Sequence, residues 1–323
     1  METAERTCAH PASRTISQSI NREIVAEALA GLFSSRKTLP PKLFYDEAGC
    51  ALFGEITRLS EYYLTRTERA ILEALAPALD GLVPRRAALV EYGASNEAKA
   101  ELLFAACEIA AYVPIDIAAD ALAMLSARLA DKRPALAVHP IIADFLTPIV
   151  LPHEIASVPR LGFFPGSTIG NLDPGAAIAF LARARATLGE DATFLVGVDL
   201  EKPPDLLVAA YDDAAGITAA FNRNMLARLN REAGADFVLA AFAHRAVWNP
   251  VEHRIEMHLE SLTDQIVHIA GTSIPFREGE TIHTENSYKF TVPRFTALAM
   301  RAGWRVERIW TDRRKFFAIA ALR

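Results

Sequence analysis

Near the C-terminus stand Trp304-Arg305-Val306-Glu307-Arg308-Ile309-Trp310, then Thr311-Asp312-Arg313-Arg314, then Lys315-Phe316-Phe317-Ala318-Ile319-Ala320-Ala321-Leu322. The first stretch alternates in character, the third is almost wholly apolar, and the second is a turn. Two strands joined by so short a turn should be antiparallel neighbours. A helix expected over 293–302 leads into them through Gly303.

Working upstream, the chain changes rhythm. Short apolar runs at 87–92, 112–116, 139–144, 160–164 and 193–199 alternate with helical patterns, one beginning near Asn96 and others at 118–129 and 174–188. Such alternation predicts a parallel sheet covered on both faces, an α/β fold. Before it, helical spacing marks 21–33, 50–59 and 65–76, with a turn at Leu39-Pro40-Pro41. Between Glu201 and Lys289 the alternation stops. Residues 205–229 read as mostly helical, while 246–248 and 255–259 read as strands. This insertion is too long for one crossover, so it is expected to build a second domain with the N-terminal helices. Residues 1–19 read as a loose arm.

Composition narrows the class. At 323 residues and 51% hydrophobic, the chain is long enough for a sizeable core or two. A net charge of −5 argues against a nucleic-acid surface. Cys8, Cys50 and Cys107 are scattered, which fits a reducing, cytosolic setting and neither a disulfide framework nor a zinc cluster. No signal peptide or membrane span is expected, because the apolar region 102–129 is broken by Glu108, Pro114, Asp116 and Asp120. Eight histidines show no paired-ligand spacing, so no metal is expected, and His253 and His258 read as surface residues without a catalytic role.

Ligands of open α/β sheets bind beyond the carboxyl ends of the strands. At the first such end lies Glu91-Tyr92-Gly93-Ala94-Ser95-Asn96, where Gly93 permits a tight turn and close ligand approach. The full Gly-x-Gly-x-x-Gly pattern is absent, and an ordinary strand-to-helix turn would read the same. Asp116 ends the next strand, roughly twenty residues on, from where a carboxylate can accept ribose hydroxyls or simply cap a helix. Asp144 and Phe145 end the third, suited to an exocyclic amine and an adenine face, or equally to a loop acid beside a core ring. Together these strand ends favour a nucleoside ligand.

Two sets of motifs go further. One is Pro40-Pro41-Lys42-Leu43-Phe44-Tyr45-Asp46, Leu52-Phe53-Gly54-Glu55-Ile56-Thr57 and Glu61-Tyr62-Tyr63-Leu64-Thr65-Arg66-Thr67-Glu68. The other is Gly166-Ser167-Thr168-Ile169-Gly170-Asn171, Ala210-Tyr211-Asp212-Asp213, Phe221-Asn222-Arg223-Asn224 and Thr284-Glu285-Asn286-Ser287-Tyr288-Lys289-Phe290. In this order, from about Leu39 onward, they resemble the histidine Nα-methyltransferases of ergothioneine biosynthesis. Those enzymes use S-adenosylmethionine to trimethylate the α-amino group of L-histidine, giving hercynine.

The resemblance implies a Rossmann-like class I methyltransferase sheet closed by a C-terminal antiparallel hairpin, with a second α+β substrate domain. The cofactor domain would span 66–199 and 290–323, the substrate domain 20–65 and 200–289. Tyr62, Gly93, Lys99, Asp116, Asp144 and Phe145 would contact S-adenosylmethionine. Tyr45, Asn171 and Tyr211 would hold the α-amino and carboxylate groups, with Tyr45 and Asn171 at the reacting amine. Glu285 and Ser287 would hold the imidazole, and Met257 would line its pocket. The loop Gly93-Ala94-Ser95 departs from the Gly-Ser-Gly often found in the family. A small amino-acid substrate is implied, with no nucleic-acid or membrane partner and a monomer or weak dimer.

The chemistry suits these residue types. Methyl transfer from a sulfonium is an in-line displacement, so the main task is alignment. The amine must present a lone pair, which neutral partners such as Asn171 and Tyr45 permit and a carboxylate would oppose. Glu285 and Ser287 are two apart, so on a strand both face one side and can meet the two ring nitrogens. On an exposed strand they would be ordinary polar residues. An aliphatic residue in place of Glu285 would signal an indole-bearing amino acid or another amine. A dehydrogenase would want a fuller glycine fingerprint. A binding protein without turnover is the remaining alternative.

Overall fold

The structure is a computed structural model that describes residues 20–94 and 96–323; the arm at 1–19, with Cys8, and Ser95 lie outside the described residues. Asn21 caps α1 (Arg22–Leu32), its Oδ1 accepting from the N–H groups of Glu23 and Ile24. A 3-10 turn at Pro41–Phe44 precedes α2 (Glu47–Ile56). This helix starts earlier than apolar spacing suggests, because the Asp46 carboxylate caps the Gly49 N–H at 2.7 Å. Then come α3 (Tyr63–Leu75), β1 (Ala87–Tyr92), α4 (Ala100–Ala106), β2 (Ile109–Asp116) and α5 (Ala119–Lys132).

The third expected strand is split into β3 (Ala137–Val138) and β4 (Ile141–Ile142), both paired to β2. Pro140 has no N–H to give a ladder, so the pairing breaks around it. Next are β5 (Arg160–Phe164), α6 (Pro174–Leu188) and β6 (Thr193–Asp199). The helical stretch expected over 205–229 is two helices, α7 (Pro204–Ala209) and α8 (Ile217–Glu232), parted at Gly216 with φ +72°. Strands β7 (Phe242–Asn249), β8 (Arg254–Ser261), β9 (Gln265–Ile269), β10 (Thr272–Phe276) and β11 (Thr281–Tyr288) follow, then α9 (Val292–Arg301), β12 (Val306–Thr311) and β13 (Phe317–Leu322).

The main sheet runs β12-β13-β6-β5-β1-β2-β3. Strands β6, β5, β1, β2, β3 and β4 are parallel, while β13 is antiparallel to both β6 and β12. Thus the terminal hairpin inserts its second strand beside β6 and leaves its first at the edge, as a class I methyltransferase sheet requires. Every residue of β1, β6 and β13 is buried, which accounts for their largely apolar runs, Glu91 and Asp199 being buried exceptions. Alternate residues feed two cores. Leu89, Leu195 and Ile319 join one, and Val90, Val196 and Ala320 the other, with Phe180 of α6 and Phe295 of α9. The first core continues through Phe44, Phe221 and Met225 to Ile255 and Met257 of the smaller sheet β11-β8-β7.

Where β11 ends, the two sheets meet. The N–H of Phe290 donates to the carbonyl of Asp199, the last residue of β6, at 2.9 Å. Beside that junction, the turn Thr168–Asn171 after β5 packs Gly170 so tightly on β11 that a Cβ there would sit 2.8 Å from the Tyr288 carbonyl oxygen.

Candidate active site

Strand β11 sets the phase of the site. Continued without interruption, the face bearing Ile282 and Thr284 would next present Asn286. A bulge between His283 and Glu285 shifts the register by one, so Glu285 and Ser287 point inward and Asn286 outward. The Thr284 hydroxyl donates to the Met257 carbonyl at 3.0 Å and ties the bulge to β8. Glu285 and Ser287 therefore share a face, as their spacing predicts.

That face borders a partly enclosed cavity lined by side chains from the smaller sheet and from the turn after β5 of the main sheet. Met257 of β8, opposite Glu285 in register, lies beneath it, and Asn171 enters from the turn after β5. Three tyrosines complete the wall: Tyr45, Tyr62 and Tyr211. Tyr45 is wedged among Phe44, Phe53 and Phe221, while Tyr62 meets Tyr211 edge-on at 6.3 Å. All of the expected substrate residues thus converge. Tyr62, expected at the cofactor, lies in the same cavity.

Within the cavity polar atoms are tied together. Asn171 Nδ2 donates to Glu285 Oε1 at 3.2 Å, and the Tyr211 and Ser287 hydroxyls are 2.7 Å apart. Burial pushes the Glu285 carboxyl up to about 7, against the pull of nearby Lys289. Burial likewise holds the phenols of Tyr45, Tyr62 and Tyr211 well above their usual range, so they serve as neutral hydroxyls.

The expected nucleoside residues gather at the carboxyl ends of β1, β2 and β4. Because β1 lies between β2 and β5, this is where the strand order reverses, the usual ligand crevice of such sheets. Gly93 has φ +77°, and a Cβ there would lie 3.9 Å from the Phe145 ring. Phe145 itself leans on Phe164 and Phe180. Asp116 Oδ1 accepts the Ala118 N–H at 2.8 Å, and the helix cap falls to Ala118. Burial raises the Asp116 carboxyl against its backbone hydrogen bonds. A half-buried acid with no ion pair among the described residues, next to a glycine turn and a ring, fits a ligand that donates hydroxyls and presents a flat base. Asp144 Oδ1 accepts from the Leu146 N–H at 2.8 Å. Lys99 instead pairs with the fully buried Glu68 at 2.5 Å, and Glu68 in turn accepts the Gly166 N–H at 2.9 Å. The Lys99 Nζ also lies beside Gly166, in the loop after β5.

Comparison with known proteins decides the matter. Residues 24–323 match the family described as histidine-specific methyltransferase, SAM-dependent. The chain belongs to that family. This methyltransferase is 41% identical over 302 residues to histidine N-alpha-methyltransferase of Mycolicibacterium smegmatis, covering 89% of this chain and 92% of that protein. It is 37% identical over 304 residues to the Mycobacterium tuberculosis protein of the same name, covering 91% and 92%. Ergothioneine biosynthesis protein 1 of Neurospora crassa is 31% identical over 205 residues, 61% of this chain and 23% of that longer protein.

Beneath the cavity of the methyltransferase lies a network that sequence reading missed. Lys289 is fully buried and bonds Asp199, Tyr211 and Ser287. Asp199 also takes Lys202 at 2.6 Å and the Tyr63 hydroxyl at 2.7 Å. The recurrence of polar residues at 285, 287 and 289 was the available signal, since a strand continued two residues further aims Lys289 the same way.

Among the histidines, His258 corrects the expectation of a surface residue: its side chain is 15% exposed, on the outer face of β8. Its ring stacks on that of His283 at 4.7 Å, and its Nε2–H donates to Glu256 at 3.2 Å. These three residues form, among the described residues, a group close enough to hold a metal ion. Near-parallel rings aim their lone pairs side by side rather than at one centre, and Arg254 and Asn249 already engage Glu256. The group reads better as a hydrogen-bonded network. Among the described residues, no helix is long and apolar enough to cross a membrane.

Proposed function

We propose that this methyltransferase transfers methyl groups from S-adenosylmethionine to the α-amino nitrogen of L-histidine, up to three times, yielding hercynine for ergothioneine biosynthesis. The observation that carries the reading is the inward pair Glu285 and Ser287 on β11, facing Asn171 and the tyrosines across one cavity. The names of the relatives point the same way.

When bound, the cofactor supplies an electrophilic methyl group; the chain's task is to place the amine in line with it. Asn171 turns its amide nitrogen to Glu285, which leaves its carbonyl oxygen to accept an amine N–H. Tyr45, neutral and hemmed by rings, offers a second partner that does not favour the charged ammonium. Glu285 accepts an imidazole N–H and Ser287 meets the other ring nitrogen, so the ring stays fixed while the amine gains bulk. Tyr211 meets the carboxylate. Gly93, Asp116, Asp144 and Phe145 receive the nucleoside, Tyr62 stands where cofactor and amine meet, and Lys99, held by Glu68, also contacts the cofactor.

Residues 66–199 and 290–323 form the cofactor lobe in this reading, and 20–65 with 200–289 the substrate lobe, with substrate between them. The scattered cysteines favour a cytosolic setting, and a monomer or weak dimer suffices, since the cavity is lined by one chain. The test is a survey of all standard amino acids with S-adenosylmethionine, reading release of S-adenosylhomocysteine. Turnover confined to histidine is expected. Turnover on another amino acid would discard the roles of Glu285 and Ser287, and none at all would favour a binding protein.

A further inference from the structure

We propose that Lys289 is a positioning residue for the substrate's α-carboxylate, acting through the Tyr211 hydroxyl; this rests on the reading of Tyr211 as the carboxylate partner. A lysine ammonium has three protons to give and accepts none. Lys289 is fully buried, with Asp199 Oδ2 at 2.9 Å, Ser287 Oγ at 2.8 Å and Tyr211 OH at 2.9 Å. All three protons are spent, and both hydroxyl oxygens receive one.

The two hydroxyls bring two protons of their own. One is used in the 2.7 Å bond between them. The other has to find an acceptor, and both residues line the cavity. A carboxylate beside Tyr211 takes it: Ser287 donates to Tyr211, and Tyr211 donates outward. Receiving protons from both Lys289 and Ser287 polarises the Tyr211 O–H and strengthens what it gives. This leaves Ser287 a lone pair on the cavity side; with Glu285 also accepting, the ring held there is the imidazolium, which carries an N–H on each nitrogen.

Charge balance points the same way. Asp199 is shared between Lys202 at 2.6 Å and Lys289 at 2.9 Å, two cations on one anion, both lysine side chains at most 2% exposed. Asp312 also acts on Lys202 and Glu285 on Lys289, and an α-carboxylate at Tyr211 would add a further anion on the cavity side of Lys289. The site so built prefers an amino acid over the corresponding amine.

Binding of L-histidine and of its decarboxylated analogue histamine, by calorimetry with S-adenosylhomocysteine present, tests this. Lys289→Met should raise the histidine Kd about 10- to 100-fold, the range for a lost hydrogen bond to a charged group, and weaken histamine, which meets Lys289 only through Ser287, several-fold less. Tyr211→Phe should show the same selectivity, with little added loss in the double variant. If Tyr211→Phe is selective but Lys289→Met weakens both ligands alike, Lys289 is merely structural and the proposal fails. If Tyr211→Phe itself weakens both alike, the Tyr211 reading falls first. Should Lys289→Met not fold, NMR of the unmutated protein with 15N-labelled lysine decides. The Lys289 ammonium signal should shift more with histidine than with histamine, and equal shifts would overturn the proposal.

Discussion

At Glu285, stability and recognition pull in opposite directions. The carboxyl titrates near 7 in the folded chain against 4.5 for the free group, because burial penalises its charge. A raised folded value means that folding favours the protonated acid. Its contribution to stability is fully present below about 4.5 and is lost as the pH rises through about 7. Glu285→Gln should therefore nearly match the parent at pH 4.5 and be more stable at pH 8, by on the order of 3 kcal/mol. Urea unfolding at the two pH values checks it, and equal stability at both would mean that the carboxyl is not perturbed. The spacing of Glu285 and Ser287 was legible in sequence because strand geometry is local. Lys289 was not, because its partner Asp199 is brought to it only by the docking of β11 on β6.

Elements carry the next level of precision. The turn Thr168–Asn171 presents Asn171 to the cavity because Gly170 lies against the backbone of β11. Backbone cannot yield as a side chain can. Gly170→Ala should cost about 1–3 kcal/mol through overpacking and, by lifting Asn171, weaken histidine binding more than cofactor binding. Thermal melting and calorimetry read the two effects, and a variant unchanged in both would show that the close approach is not real. The repeating strands and the Pro174–Leu188 helix were readable from apolar runs and helical spacing. The bulge at Thr284 was not: it depends on pairing with β8, and the sequence around it reads as plain alternation. Nor was the hairpin β9–β10 anticipated.

For the whole molecule, the C-terminal hairpin proved the most informative stretch, since two strands and a short turn allow one arrangement. Their insertion beside β6 distinguishes this sheet from a fully parallel one. The smaller sheet was only half legible: β8 alternates cleanly, but β7 alternates weakly and β11 gains its meaning from the cavity it faces. One core runs from the main sheet into the smaller one, so the recognition of the ring and the placing of the cofactor are parts of one packed body. The central claim is that this body aligns the α-amine of histidine and nothing else on that substrate. Incubation of the protein with L-histidine and S-adenosylmethionine carrying a 13C-labelled methyl group, followed by fragmentation mass spectrometry, tests it most directly. The account predicts products with one, two and three labels, all on the α-nitrogen. Label on an imidazole nitrogen would contradict it.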